Sequence, residues 1–141
     1  MKKLTIIVIT LLAVLCTATV LSFANEEDTY DEKLLERSAY TTEQFTRLVI
    51  DTSGQAVATA QVAGYKGVTN KISITIYLQQ YKGGKWITIA SSSKTAESFK
   101  TELTLAKKVT RGYKYRACAY IYAFNNGTKE CIIKYSDVAQ C

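Results

Sequence analysis

The chain reads as an all-β protein, an antiparallel sandwich behind an export signal. Three observations predict this. From Phe45 onward apolar and polar residues alternate with a period of two, and no segment carries a sustained helical stripe. Two glycine-bearing tight turns, at Gly83-Gly84 and at Asn125-Asn126-Gly127, each join two alternating runs. Finally, 141 residues with 48% hydrophobic and 21% charged content amount to one globular domain with enough apolar material for a core.

Taken in chain order, Lys2 and Lys3 precede an apolar run over residues 4–21, followed by Ser22, Phe23 and Ala24. Small residues at the two positions a signal peptidase inspects make residues 1–24 a secretory signal peptide. The run is long enough that, left uncleaved, it would serve as a membrane anchor; in both cases the basic start stays inside and the remainder is extracellular. Residues 25–44 are expected to form an acidic flexible leader. Within it, residues 25–37 hold six acids against Lys33 and Arg37, a net of −4. From Ser38 onward 14 basic side chains face six acidic ones, a net of +8.

The sandwich domain is assigned to residues 45–141. Residues 56–63 alternate small and polar and stop at the glycines of the loop Gly64-Tyr65-Lys66-Gly67. Ile72, Ile74, Ile76 and Leu78 alternate with Ser73, Thr75, Tyr77 and Gln79, which predicts a half-buried strand with an aliphatic inner face. Gly83 and Gly84 both accept positive φ, so they predict a two-residue hairpin with a return strand over residues 86–90. Its register sets Tyr81 opposite Trp86, Gln79 opposite Thr88 and Leu78 opposite Ile89. Ser91, Ser92 and Ser93 then read as a loop. Phe99, Leu103 and Leu105 mark the next strand, and a turn at Arg111 and Gly112 leads into a strand over residues 113–123.

For the second hairpin a three-residue loop with Gly127 left-handed pairs Ile121 with Cys131, Ala119 with Ile133 and Ala117 with Tyr135. That register leaves Glu130 and Lys134 in solvent, whereas a two-residue loop would turn both charges inward. The longer loop is therefore expected. Asn126-Gly127-Thr128 also matches a glycosylation sequon, but the turn accounts for it.

The segment VTRGYKYRACAYI, residues 109–121, resembles the entry to the sixth strand of fibronectin type III and immunoglobulin-like sandwiches. An apolar residue is followed six positions later by a tyrosine that leads an inward-pointing series. The resemblance implies that Tyr115 is a corner tyrosine whose hydroxyl bonds upstream backbone, with Ala117, Ala119 and Ile121 inward. Over residues 64–138 the sequences TNKISITIYLQQYKGGKW and VTRGYKYRACAYIYAFNNGTKE are similar to a group of small secreted proteins of Gram-positive bacteria, a domain of unknown function. Leu78, Gln79, Tyr81, Gly84, Trp86, Gly112, Tyr113, Tyr115 and Arg116 carry that likeness. It implies export and the sandwich fold, and no activity.

Familiar catalytic sets are missing from the composition. Histidine is absent, which removes the commonest general base and metal ligand. Cys118, Cys131 and Cys141 remain after export without any close pair, so neither a metal site nor a cofactor is expected. By the hairpin register Cys118 faces outward and Cys131 inward, so these two cannot bridge. A bridge of either one to Cys141, or three free thiols, stays open. No hydroxyl or thiol has a histidine base, no carboxylate pair is promoted by spacing, and no phosphate-cradling glycine loop follows a strand. An enzyme is not expected.

The outer face of the expected sheet stands out. Tyr77, Tyr81 and Trp86 from the first hairpin, with Arg116, Tyr120 and Tyr122 from the later strand, form an aromatic strip edged by Lys114, Arg116 and Lys134. Aromatic rings stack on sugars, and cations reach anionic polymers. The expected function is a secreted, non-enzymatic module that binds a cell-envelope polymer, glycan or extracellular protein through these residues. The alternative is a secreted effector or toxin-like protein acting on neighbouring cells. Nucleic acid is not an expected partner, because export removes the chain from it.

Overall fold

A computed structural model describes residues 38–141; the signal peptide expected over residues 1–24 and the part of the expected leader up to Arg37 lie outside the described residues. The described residues form eight strands: β1 (Thr41–Ile50), β2 (Gln55–Gly64), β3 (Lys71–Lys82), β4 (Lys85–Ala96), β5 (Lys100–Lys108), β6 (Lys114–Asn125), β7 (Thr128–Tyr135) and β8 (Ala139–Gln140). They make two antiparallel sheets, one ordered β1-β2-β5 and the other β4-β3-β6-β7, with the short β8 pairing at the start of β6. This is an immunoglobulin and fibronectin III-like sandwich. The first strand begins at Thr41, four residues before the boundary expected for the domain.

Alternation explains the core. Ile72, Ile74, Ile76 and Leu78 of β3 are fully buried, as are Ala56, Ala58, Ala60 and Val62 of β2 and Ala117, Ala119, Ile121 and Ala123 of β6. Alanines on β2 face alanines on β6, so Cα atoms of the two strands come within 8 Å, closer than the usual sheet spacing of about 10 Å. Close approach also dictates Gly64. A Cβ there would lie 2.6 Å from Cβ of Thr69 and 2.7 Å from the carbonyl oxygen of Tyr40.

The corner tyrosine is present. Tyr115 is fully buried, its hydroxyl donates to the carbonyl of Thr110 at 2.6 Å, and it accepts from Nε2 of Gln80 at 3.0 Å. The first hairpin turns on Gly83 and Gly84 at φ +59° and +76°, with Tyr81 opposite Trp86 and Gln79 opposite Thr88. Leu78, however, pairs with Ala90 rather than Ile89, because a bulge inserts one residue into β4. Both Ile89 and Ala90 then pack beside Leu78. Ser91, Ser92 and Ser93 are not a loop: β4 continues through them, and Ser93 shares a 2.9 Å hydroxyl hydrogen bond with Thr75. Polarity suits them to an edge strand, which the expectation of a loop overlooked.

The second hairpin departs from expectation. Its loop has two residues, Asn126 at φ +47° and Gly127 at φ +91°, closed by Asn125 opposite Thr128. Asparagine tolerates the left-handed region, so the pair makes a turn whose twist matches the strands. The change of one residue flips all of β7. Tyr122 now opposes Cys131, Ile121 opposes Ile132 and Ala119 opposes Lys134. Glu130 and Lys134 therefore lie on the inner side, and Cys131 on the outer, the reverse of the expected placements. The charges are tolerated because β7 is an edge strand where both stay half-exposed. Glu130 is also well satisfied: its carboxylate accepts from Oγ of Ser38 at 2.7 Å and from the backbone N–H groups of Ala39 and Tyr40 at 3.0 Å each.

Candidate functional site

The outer face of the β4-β3-β6-β7 sheet gathers all six residues expected to bind, Tyr77, Tyr81, Trp86, Arg116, Tyr120 and Tyr122. Odd-numbered positions of β3 and even-numbered positions of β6 point away from the core, which brings out Tyr77 and Tyr81 beside Arg116, Tyr120 and Tyr122, while the hairpin carries Trp86 to the same side. Tyr77 and Tyr120 meet edge to face with centroids 5.5 Å apart. Tyr81 and Trp86 meet at 5.1 Å with planes tilted by 55°.

Arg116 is built into this face rather than edging it. Its guanidinium carbon lies 4.4 Å from the centroid of Trp86 and 4.5 Å from that of Tyr135, and its Nε donates to Oε1 of Gln79 at 2.8 Å. A cation held between two rings joins β4, β6 and β7 in one stack. Lys129 stands over Tyr122 at 5.1 Å, whereas Lys134, expected at the edge of the strip, lies on the other side of the sheet. Lys114, opposite Tyr81, keeps its expected outward position.

Between the Tyr77–Tyr120 pair and the arginine stack lies an open concavity of about 430 Å³ lined by Tyr77, Gln79, Thr88, Cys118, Tyr120, Tyr122 and Tyr135. Sequence reasoning had named three of these as binding residues. Tyr135 was missed because the longer loop put it opposite Ala117, facing the core. Cys118 points outward as expected yet is only 2% exposed, covered by the surrounding phenols. Burial pushes its thiol up, against the opposing pull of a hydrogen bond with Tyr135 and the charge of Arg116. Hydrogen bonding with Cys118 raises the Tyr135 phenol, and hydrogen bonding with Cys131 does the same to Tyr122.

Cys118, Cys131 and Cys141 are all free. Cys131 sits opposite Tyr122, four residues along β6 from Cys118, so about 13 Å of strand separates thiols now on one face. That exceeds the reach of a disulfide. Cys141 packs at the far end of the core beside Gly54.

The described residues contain no group of three or more Cys, Asp or Glu placed to hold a metal ion, and no helix long and apolar enough to cross a membrane. Their one ion pair is the exposed Lys71–Glu97 contact at 3.8 Å, so most of the basic excess is not neutralised internally. No family model matches the chain, and no curated protein is significantly similar to it.

Proposed function

We propose that this protein is exported and acts as a non-enzymatic binding module for a cell-envelope polysaccharide. The observation that carries the reading is the concavity walled by Tyr77, Tyr120, Tyr122 and Tyr135, with Gln79 and Thr88 at its polar side. Flat phenol rings offer apolar faces to sugar C–H groups, while hydroxyls and the Gln79 amide exchange hydrogen bonds with sugar hydroxyls. Lys114 and Lys129 at the rim, on a body with a net charge of +8, attract polymers that carry phosphate or carboxylate. Trp86 and Arg116 lie outside its lining and act on it through Tyr135, whose ring the Arg116 guanidinium contacts.

The test is binding of the chain from Asn25 onward to purified envelope polysaccharides, compared with Tyr77→Ala and Trp86→Ala. The eight strands and the core of the described residues lie within residues 38–141, all of which this chain retains. Wild type is expected to bind, with affinity falling as salt rises, and Tyr77→Ala to lose at least about tenfold. Trp86→Ala removes a ring pair and a cation–π contact from a half-buried site, so it should cost about 1–2 kcal/mol of stability, short of a core truncation. Equal binding by wild type and Tyr77→Ala would overturn the assignment of this face.

A further inference from the structure

The outer edges of the two sheets are not equivalent. β1 is irregular between Thr41 and Glu43 and carries charges at Glu43 and Arg47. β4 is bulged near Leu78. β5 bears Lys100, Lys107 and Lys108, and the carbonyl of its Glu102 already accepts from Nζ of Lys94 at 3.1 Å. These are the devices that keep an edge from pairing. β7 also carries charges, Lys129, Glu130 and Lys134, but they are of both signs, its eight residues pair with β6 without any shift of register, and Ile133 and Tyr135 are 45% and 53% exposed.

Its backbone parity is defined. The two-residue turn closes at Asn125 and Thr128, and the N–H of Ser136 donates to the carbonyl of Ala117 at 2.9 Å. Even-numbered residues of β7 therefore bond to β6, and the backbone groups of Lys129, Cys131, Ile133 and Tyr135 point to the edge that no described strand pairs with.

We propose that β7 pairs antiparallel with β7 of a second copy, about a two-fold axis at Ile132. In this register Cys131 opposes Ile133 of the second copy, Glu130 opposes Lys134 and Lys129 opposes Tyr135, each twice. The charge match selects the register. Glu130 is capped only by neutral donors, and neither it nor Lys134 has an ion-pair partner among the described residues. Sliding the strands by two residues either way sets Glu130 against Ile132 or Ser136 instead. Directly opposed residues share a face, so the two sheets join into one of eight main strands with both aromatic faces on the same side. The pairing does not depend on the polysaccharide reading. Eight residues of edge make a small contact, of the transient class.

The experiment is sedimentation equilibrium under reducing conditions, on the chain from Asn25 onward, from low to high micromolar concentration. A concentration-dependent doubling of mass is expected. Ile133→Lys changes an exposed side chain at the centre of the contact and should abolish the doubling with the unfolding midpoint nearly unmoved. Ile87→Lys, on the opposite edge strand, should leave it intact. Register is read separately: oxidised Ile133→Cys should give a covalent dimer joined between Cys131 of one chain and the new thiol at position 133 of the other. A monomer at every concentration, a dimer that survives Ile133→Lys, or one lost in Ile87→Lys overturns the proposal.

Discussion

The hydroxyl of Tyr115 donates to the carbonyl of Thr110 five residues upstream, across the turn that leads from β5 into β6. The same oxygen accepts from Gln80 on β3, so one buried phenol ties the corner to the centre of its own sheet. Tyr115→Phe keeps the ring but strands both partners, and should cost about 1–3 kcal/mol. Urea unfolding measures it; an unchanged midpoint would remove the corner from the list of stabilising contacts.

The entry of the chain into β1 depends on Glu130. Glu130→Ala removes the acceptor shared by Ser38, Ala39 and Tyr40. Because the carboxylate is half-exposed, the expected loss is about 1–2 kcal/mol. It should be local as well, with faster hydrogen exchange at the Ala39 and Tyr40 amides than deeper in β2.

The three thiols should separate by reactivity. Cys131 is exposed, Cys141 partly buried and Cys118 only 2% exposed with its thiol pushed up by burial. Alkylation of the native protein at mildly alkaline pH should label Cys131 first and Cys118 last, the latter only as fast as the sheet opens. Mass mapping of the labelled peptides reads the order. Early labelling of Cys118 would show that its aromatic cover opens readily.

Asp51 predicts an acid effect. Its carboxylate accepts from the hydroxyl and backbone N–H of Ser53 and from the N–H of Gln55, the Ser53 hydroxyl being the foremost cause that holds it below the usual carboxylate range. A depressed folded pKa contributes stability that is present above the unfolded value and lost as pH falls through the folded one. Between pH 5 and 2, wild type should therefore lose an increment of stability that Asp51→Asn has already lost at neutral pH. Parallel unfolding curves for the two proteins across that range would contradict it.

How much of this was legible beforehand follows from a single physical rule, the two-residue period of a strand. On β3 and β6 the alternation of Ile72, Ile74, Ile76 and Leu78, and of Ala117, Ala119 and Ile121, determined the inner face. The outward set of Tyr77, Tyr81, Arg116, Tyr120 and Tyr122 followed from it. The Gly83-Gly84 turn was equally local, and the hydroxyl contact of Tyr115, implied by the family resemblance, is present. On β7 the residues ECIIKY are apolar and polar on both faces, so alternation could not choose. The turn chose instead, and one residue of loop length decided the sides of Glu130, Cys131, Lys134 and Tyr135. Charges that should have vetoed the shorter loop found an edge position and, for Glu130, backbone donors some 90 residues away in sequence. The stack of Arg116 between Trp86 and Tyr135 is of the same kind. Its members come from three strands, and only the assembled sheet brings their rings and the guanidinium within 5 Å.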